Sequence, residues 1–247
     1  MAAIEHPPLS TAGPGVTHTL GVIASGNVAG FMAGLIVGGV GSRLAMRILS
    51  LTSPDAQGAV TEAGEIVGDI SLGGTLFLLA AGALLGVGGG LAYVASRRWL
   101  PSRGSGLVFG LLMLALSGRL LVDPENLDFV ILDPAWLGVA MFASLPVLFG
   151  LLVVSLQSRL EPFFTRTRSR VATTLVLVAG LLPLAIGGPT AVVVAVLVAA
   201  AFLLARSEAV RDVWASGTVD TLGRAVLGTA GAFGLGLFAW GAFEILI

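Results

Sequence analysis

The chain has 247 residues, 56% of them hydrophobic and 11% charged, with a mean hydropathy of +0.99 and a net charge of −1. So little polar surface excludes a water-soluble globule and defines an integral membrane protein, and thirteen dispersed basic residues exclude a nucleic-acid footprint. All thirteen are arginine; with no lysine and no cysteine, Schiff-base chemistry, disulfides, thiolate metal sites and a cysteine nucleophile fall away.

Residues 1–18, with Glu5, Pro7, Pro8, Gly13 and Pro14, lack the basic start of a signal peptide and read as an uncleaved, disordered leader. The remainder, 19–247, reads as one transmembrane domain. A hydrocarbon core of roughly 30 Å needs about 20 apolar residues per helix. Runs of that kind predict seven spans at 19–41, 72–96, 104–122, 135–157, 171–187, 189–205 and 225–247. The fifth and sixth are short and joined by Gly187-Gly188-Pro189, a hairpin turn or, alternatively, the tip of a re-entrant pair.

Ten of the arginines fall in three alternate loops: Arg97, Arg98 and Arg103 in 97–103, Arg159, Arg166, Arg168 and Arg170 in 158–170, and Arg206, Arg211 and Arg224 in 206–224. By the positive-inside rule these loops are cytoplasmic, which puts the amino terminus inside and the carboxyl terminus outside. The segment Ser207–Ser216, with Arg211, Asp212 and Trp214, reads as a cytoplasmic extension of the sixth helix or an interfacial piece. The arginine-only composition fits a GC-rich bacterial genome and hence a bacterial inner membrane, by codon usage and not by physics.

The first span carries Gly26, Gly30, Gly34, Gly38 and Ser42 at intervals of four, and the second Gly82, Gly86 and Gly90, the glycine-zipper pattern of close backbone approach. Packing within the chain is the simpler reading, and a homo-oligomer seam through these glycine-lined helices the sharper one. Three spans, a linker span and three more would suit an inverted repeat, although the halves share no sequence match. Pro146 and Pro183 each remove a backbone donor and predict kinks. Asn27, a carboxamide deep in the first span, should bond a neighbouring helix or touch a ligand.

The outer loops, 42–71 and 123–134, collect Asp55, Glu62, Glu65, Asp69, Asp123, Glu125, Asp128 and Asp133, and Glu244 reaches the same level. Asp-Pro at 123–124 and 133–134 is a helix-start signal, so Asp133 should open the fourth span and Asp123 a short interfacial helix. Asp128, between Leu127 and Phe129, has no such structural role and is the better site residue. Glu62, Glu65 and Asp69 would share a face if helical, but Gly64 and Gly68 oppose a helix and no EF-hand order is present, so a solvated acidic loop is the simpler account.

Three arginines break the orientation rule. Arg43 and Arg47 lie four apart at the outer end of the first span, and Arg119 a turn before the outer end of the third, all beside the carboxylates. Each alone would snorkel to the headgroups; together they predict a paired network or an outward polar pocket. The substrate- or ion-binding set is therefore Arg43, Arg47, Arg119, Asp128, Glu65, Asp69 and Asn27. No catalytic residue, metal ligand or cofactor is assigned: His6 and His18 lie in the leader, no Walker or dinucleotide fingerprint stands in context, and no two aspartates sit at bilayer depth.

Three function classes fit this reading. A transporter or channel would receive an anionic or zwitterionic solute, or an ion, in the charged pocket. A membrane enzyme on a lipid-like substrate would hold a headgroup with arginine and use a carboxylate as acid or base. An accessory or scaffold protein would use the outer charges only to clamp helices. The partners implied are membrane lipids, a small anionic or zwitterionic solute and a second copy of the chain, with no nucleic acid.

Overall fold

The computed structural model describes residues 16–60, 66–69, 71–126, 129, 131–166 and 216–247. Among these the chain is all-helical apart from one isolated antiparallel bridge, Val60 to Ile66. Helix α1 (Val16–Ala33) runs through a π-helical segment (Gly34–Gly41) into α2 (Ser42–Thr52). Then come α3 (Leu72–Ser96), α4 (Ser105–Leu121), α5 (Ala135–Arg166) and α6 (Gly217–Leu246). Four described helices are long and apolar enough to cross a membrane: His18–Thr52, Leu72–Trp99, Ala135–Arg166 and Gly217–Leu246. The 17-residue α4 is apolar and shorter. The spans expected at 171–187 and 189–205, with Pro183, lie outside the described residues.

Helix ends obey local chemistry more than hydropathy. The Ser71 hydroxyl accepts the Gly74 amide at 3.0 Å to open α3, and the Ser216 hydroxyl accepts the Val219 amide at 3.4 Å to open α6. Gly104, before α4, has φ +74°, a left-handed conformation that favours glycine. Helix α2 carries the first rod eleven residues past its apolar run, into the stretch expected as loop, and stops before Pro54. Likewise α5 continues through Pro146 and Pro162 to Arg166, and α6 begins eight residues before the apolar run at 225.

Side by side, the order of packing is α3, α1, α5, α4, α6. Lipid tails are as apolar as leucine, so apolarity does not drive these contacts; close van der Waals packing does, and it requires small residues. The glycine faces of α1 and α3 lie backbone to backbone: a Cβ on Gly34 would sit 2.6 Å from the Gly86 Cα and 3.0 Å from the Gly82 carbonyl carbon. Both Gly38 and Gly39 face α3, with a Cβ at 2.9 Å from Gly82 Cα and 3.0 Å from Leu79 Cα respectively, because the wider π turn brings consecutive residues to one side. The other seams use the same device, a Cβ on Gly110 of α4 falling 2.7 Å from the Val147 carbonyl of α5 and one on Gly234 of α6 2.7 Å from the Ala115 carbonyl carbon of α4.

The rods alternate in direction. At one end Ser53 holds the backbone of residue 133 on both sides, donating to its carbonyl at 2.7 Å and accepting its amide at 2.9 Å. Asp133 thus contributes its backbone, and its carboxylate caps nothing among the described residues, since α5 starts two residues on at Ala135. At the other end Arg97 meets Glu161 and Arg98 meets Asp220, while Gly21 packs on Phe164. The chain therefore leaves the described bundle at Arg166 and returns at Gly217 at the same end.

Candidate functional site

Helix α2 sets the first two arginines. Its sequence, SRLAMRILSLT, is amphipathic, with Ala45 and Leu49 buried against the bundle and Arg47 exposed to the other side. Arg43 is half-buried, and one terminal nitrogen donates to the Ser71 carbonyl at 3.4 Å, a long bond to the residue that opens α3. Its Nε is buried with no hydrogen-bond partner. Arg47 makes no side-chain hydrogen bond or ion pair among the described residues.

Arg119 is engaged differently. Near the end of α4 it pairs with Asp123 at 2.9 Å, four residues on, with side chains 42% and 45% exposed. Its Cδ and Nη1 also lie 3.5 Å from where a Cβ on Gly241 would stand, so α6 has a glycine where the guanidinium passes. Asp123 accepts the Glu125 amide at 3.2 Å as well, which closes the turn that follows α4. The expected partners of the arginines, Glu65 and Asp128, lie outside the described residues, as does Glu62. Asp69 is exposed and follows the turn at 67–68, so the helix that would align it with the earlier acids does not form around it.

Asn27 is 1% exposed, and its Nδ2 has no partner. It does not belong with the three arginines. Sixteen residues of helix separate it from Arg43, roughly 20–25 Å at ~1.5 Å per residue.

A second polar group, which the sequence reading missed, ties α1, α3 and α5 together at the Arg97 end. Gln157 of α5 is 1% exposed, and its Nε2 donates to the Ser25 hydroxyl at 2.9 Å, with the Val22 carbonyl and the Glu161 carboxylate each at 3.4 Å. The Ser25 hydroxyl in turn donates to the Val22 carbonyl at 2.8 Å. One turn further along α5, Glu161 takes Arg97, in the short turn that follows α3, at 2.6 Å, with side chains 27% and 35% exposed. Beside it Arg98 grips Asp220 of α6 from two nitrogens, at 2.9 and 2.5 Å, while its guanidinium lies 5.7 Å from the Trp99 ring. Trp99 in turn covers Gly223 of α6. The available signal was Gln157 followed by Glu161 at i+4, two polar residues on one face at the end of an apolar helix.

Among the described residues no three histidine, aspartate or glutamate side chains converge in a metal-binding group. What the geometry offers instead is cationic hydrogen-bond donors at one end and an amide and ion-pair network at the other. No family model, curated protein or solved structure matches the chain. The site must therefore be read from its own chemistry.

Proposed function

We propose that this is a transporter- or channel-like protein of a bacterial plasma membrane, with seven spans and the Arg97 end in the cytoplasm. The opposite end receives a small anionic or zwitterionic solute through Arg43, Arg47 and Arg119, with Asp128, Glu65 and Asp69 as neighbouring carboxylates. The observation that carries this reading is Arg43: a half-buried guanidinium whose Nε is enclosed without an acceptor and whose other bond is a single long contact to a carbonyl. An intramembrane cation is costly and normally paired, so one left with unused donors is arranged to meet an acceptor from outside. Carboxylate, phosphate and sulfate groups have the acceptor geometry that guanidinium matches best.

A second reading has an observation of its own for Arg119. Its bond to Asp123 and its passage over Gly241 clamp α4 to α6, which is the accessory or structural role. Arg43 and Arg119 thus need not share a task.

Thermal unfolding of the purified protein in phosphate, sulfate and glutamate tests the proposal. A ligand that binds only the folded state stabilises it by mass action, about 2.7 kcal/mol at a hundredfold excess over Kd. At least one of these anions should raise the melting temperature of the wild type and lose that effect in Arg43→Gln. An absent shift in the wild type, or an equal shift in Arg43→Gln, would refute the assignment.

A further inference from the structure

The Gln157 carboxamide is satisfied on one side only. Its NH2 group sits among three oxygens, from Ser25, Val22 and Glu161, and this fixes the orientation of the amide, because a rotated group would press its oxygen against the Val22 carbonyl and the Glu161 carboxylate, which only accept. Its Oε1 then points toward the α1–α3 seam, 3.5 Å from the position a Gly26 Cβ would take, and no donor meets it there. A buried carbonyl oxygen without a donor is destabilising unless a bound molecule supplies one.

We propose that Gln157 Oε1 is the inner end of a binding site for a small neutral hydrogen-bond donor, water being the smallest, which enters past the Arg97–Glu161 pair. The polar residues run inward in order: Arg97 and Glu161 at the mouth, then Gln157 with Ser25 one turn deeper. The occupant is neutral because the charges at the mouth already compensate each other, leaving amide and hydroxyl dipoles inside. The site ends one further turn in, where the apolar side chains of Ala29, Val153 and Phe109 close the seam at 0%, 0% and 1% exposure, with Tyr93 packed beside them. Asn27 is not part of it, since two residues along a helix is about 200° of rotation and Ser25 is the residue that faces Gln157. This inner site stands independently of any solute at Arg43.

The chain has no native cysteine, which makes single thiols readable. Ser25→Cys, Ala29→Cys and Val153→Cys are each exposed in membranes to Ag+, a small hydrophilic probe of hydrated thiolate, and the thiols left unblocked are counted with a maleimide after denaturation. The expected result is blocking of Ser25→Cys at least tenfold faster than of Ala29→Cys or Val153→Cys. Adding Glu161→Gln, which loosens the mouth, accelerates Ser25→Cys further and leaves the two deeper thiols unchanged. Gln157→Cys serves as a second reporter at the same depth should Ser25→Cys fail to fold. Blocking of these reporters as slow as that of Ala29→Cys, with and without Glu161→Gln, would overturn the proposal. Because the readout is hydration at this end, loss of anion binding at Arg43 does not alter it.

Discussion

The two ends of the bundle use the same residue type in opposite ways. At one end Arg97 and Arg98 reach across to Glu161 of α5 and Asp220 of α6, 64 and 122 residues away in sequence, so each pair locks separate helices together. At the other, Arg119 pairs within its own stretch of chain, Arg43 holds one carbonyl, and Arg47 is exposed. Arginine ties the helices at the first end and is left with unused donors at the second.

The comparison depends on α1 and α3 staying in contact along their whole length, and removing that contact should have the largest effect. In Gly34→Val the added carbon meets the backbone of Gly86 and Gly82, which cannot move aside without separating the helices. A loss of about 3 kcal/mol is expected, seen as a lowered melting temperature or loss of monodisperse protein. A near-normal melting temperature would mean that the two rods are not packed backbone to backbone.

Next in size is Glu161→Ala, which strands Arg97 and removes an acceptor from Gln157. The pair is partly buried, so its loss should fall between that of surface and of buried pairs, about 1 to 2 kcal/mol by thermal unfolding. A double-mutant cycle with Arg97→Gln should recover most of that as coupling between the two positions. Arg43→Gln should behave in the opposite way. It removes a buried donor that nothing satisfies, so stability should change by no more than about 0.5 kcal/mol, in either direction, while anion-dependent stabilisation disappears. A Glu161→Ala effect no larger than that of Arg43→Gln would erase the distinction between the ends.

The smallest effect is reserved for Asp123→Asn. The Arg119–Asp123 pair is more than two-fifths exposed at i,i+4 spacing, where such pairs contribute about 0.3–0.5 kcal/mol. A larger loss would show that Arg119 clamps α4 to α6 more firmly than its exposure suggests, and would favour the structural role for this residue.

Hydropathy located the described helices well where the membrane itself selects the residues. The second span, expected at 72–96, coincides with α3, and the third, at 104–122, contains α4. It failed at ends where a helix leaves the hydrocarbon and continues: α2 is amphipathic and carries two arginines, so no apolar window reaches it, and Pro54 decides where it stops. The Gly26 to Gly38 face was visible as spacing, but its partner on α3 becomes certain only from the backbone contacts, because small residues mark a seam without saying what fills it. Arg43, Arg47 and Arg119 stood out because they break the loop pattern that the other ten arginines follow. Arg97, Arg98, Glu161 and Asp220 did not, since each sits where charge is expected, and only the fold shows that they meet across 64 and 122 residues of chain.

The separation of the two ends is open to direct measurement. Arg47 and Arg103 are both exposed, one on α2 and one before α4, and replacing each singly by cysteine in this cysteine-free chain gives a reporter for each end. An impermeant maleimide applied to intact cells should label Arg47→Cys and leave Arg103→Cys unlabelled until the membrane is opened. Labelling of both from the same side, or of Arg103→Cys alone from outside, would contradict the account.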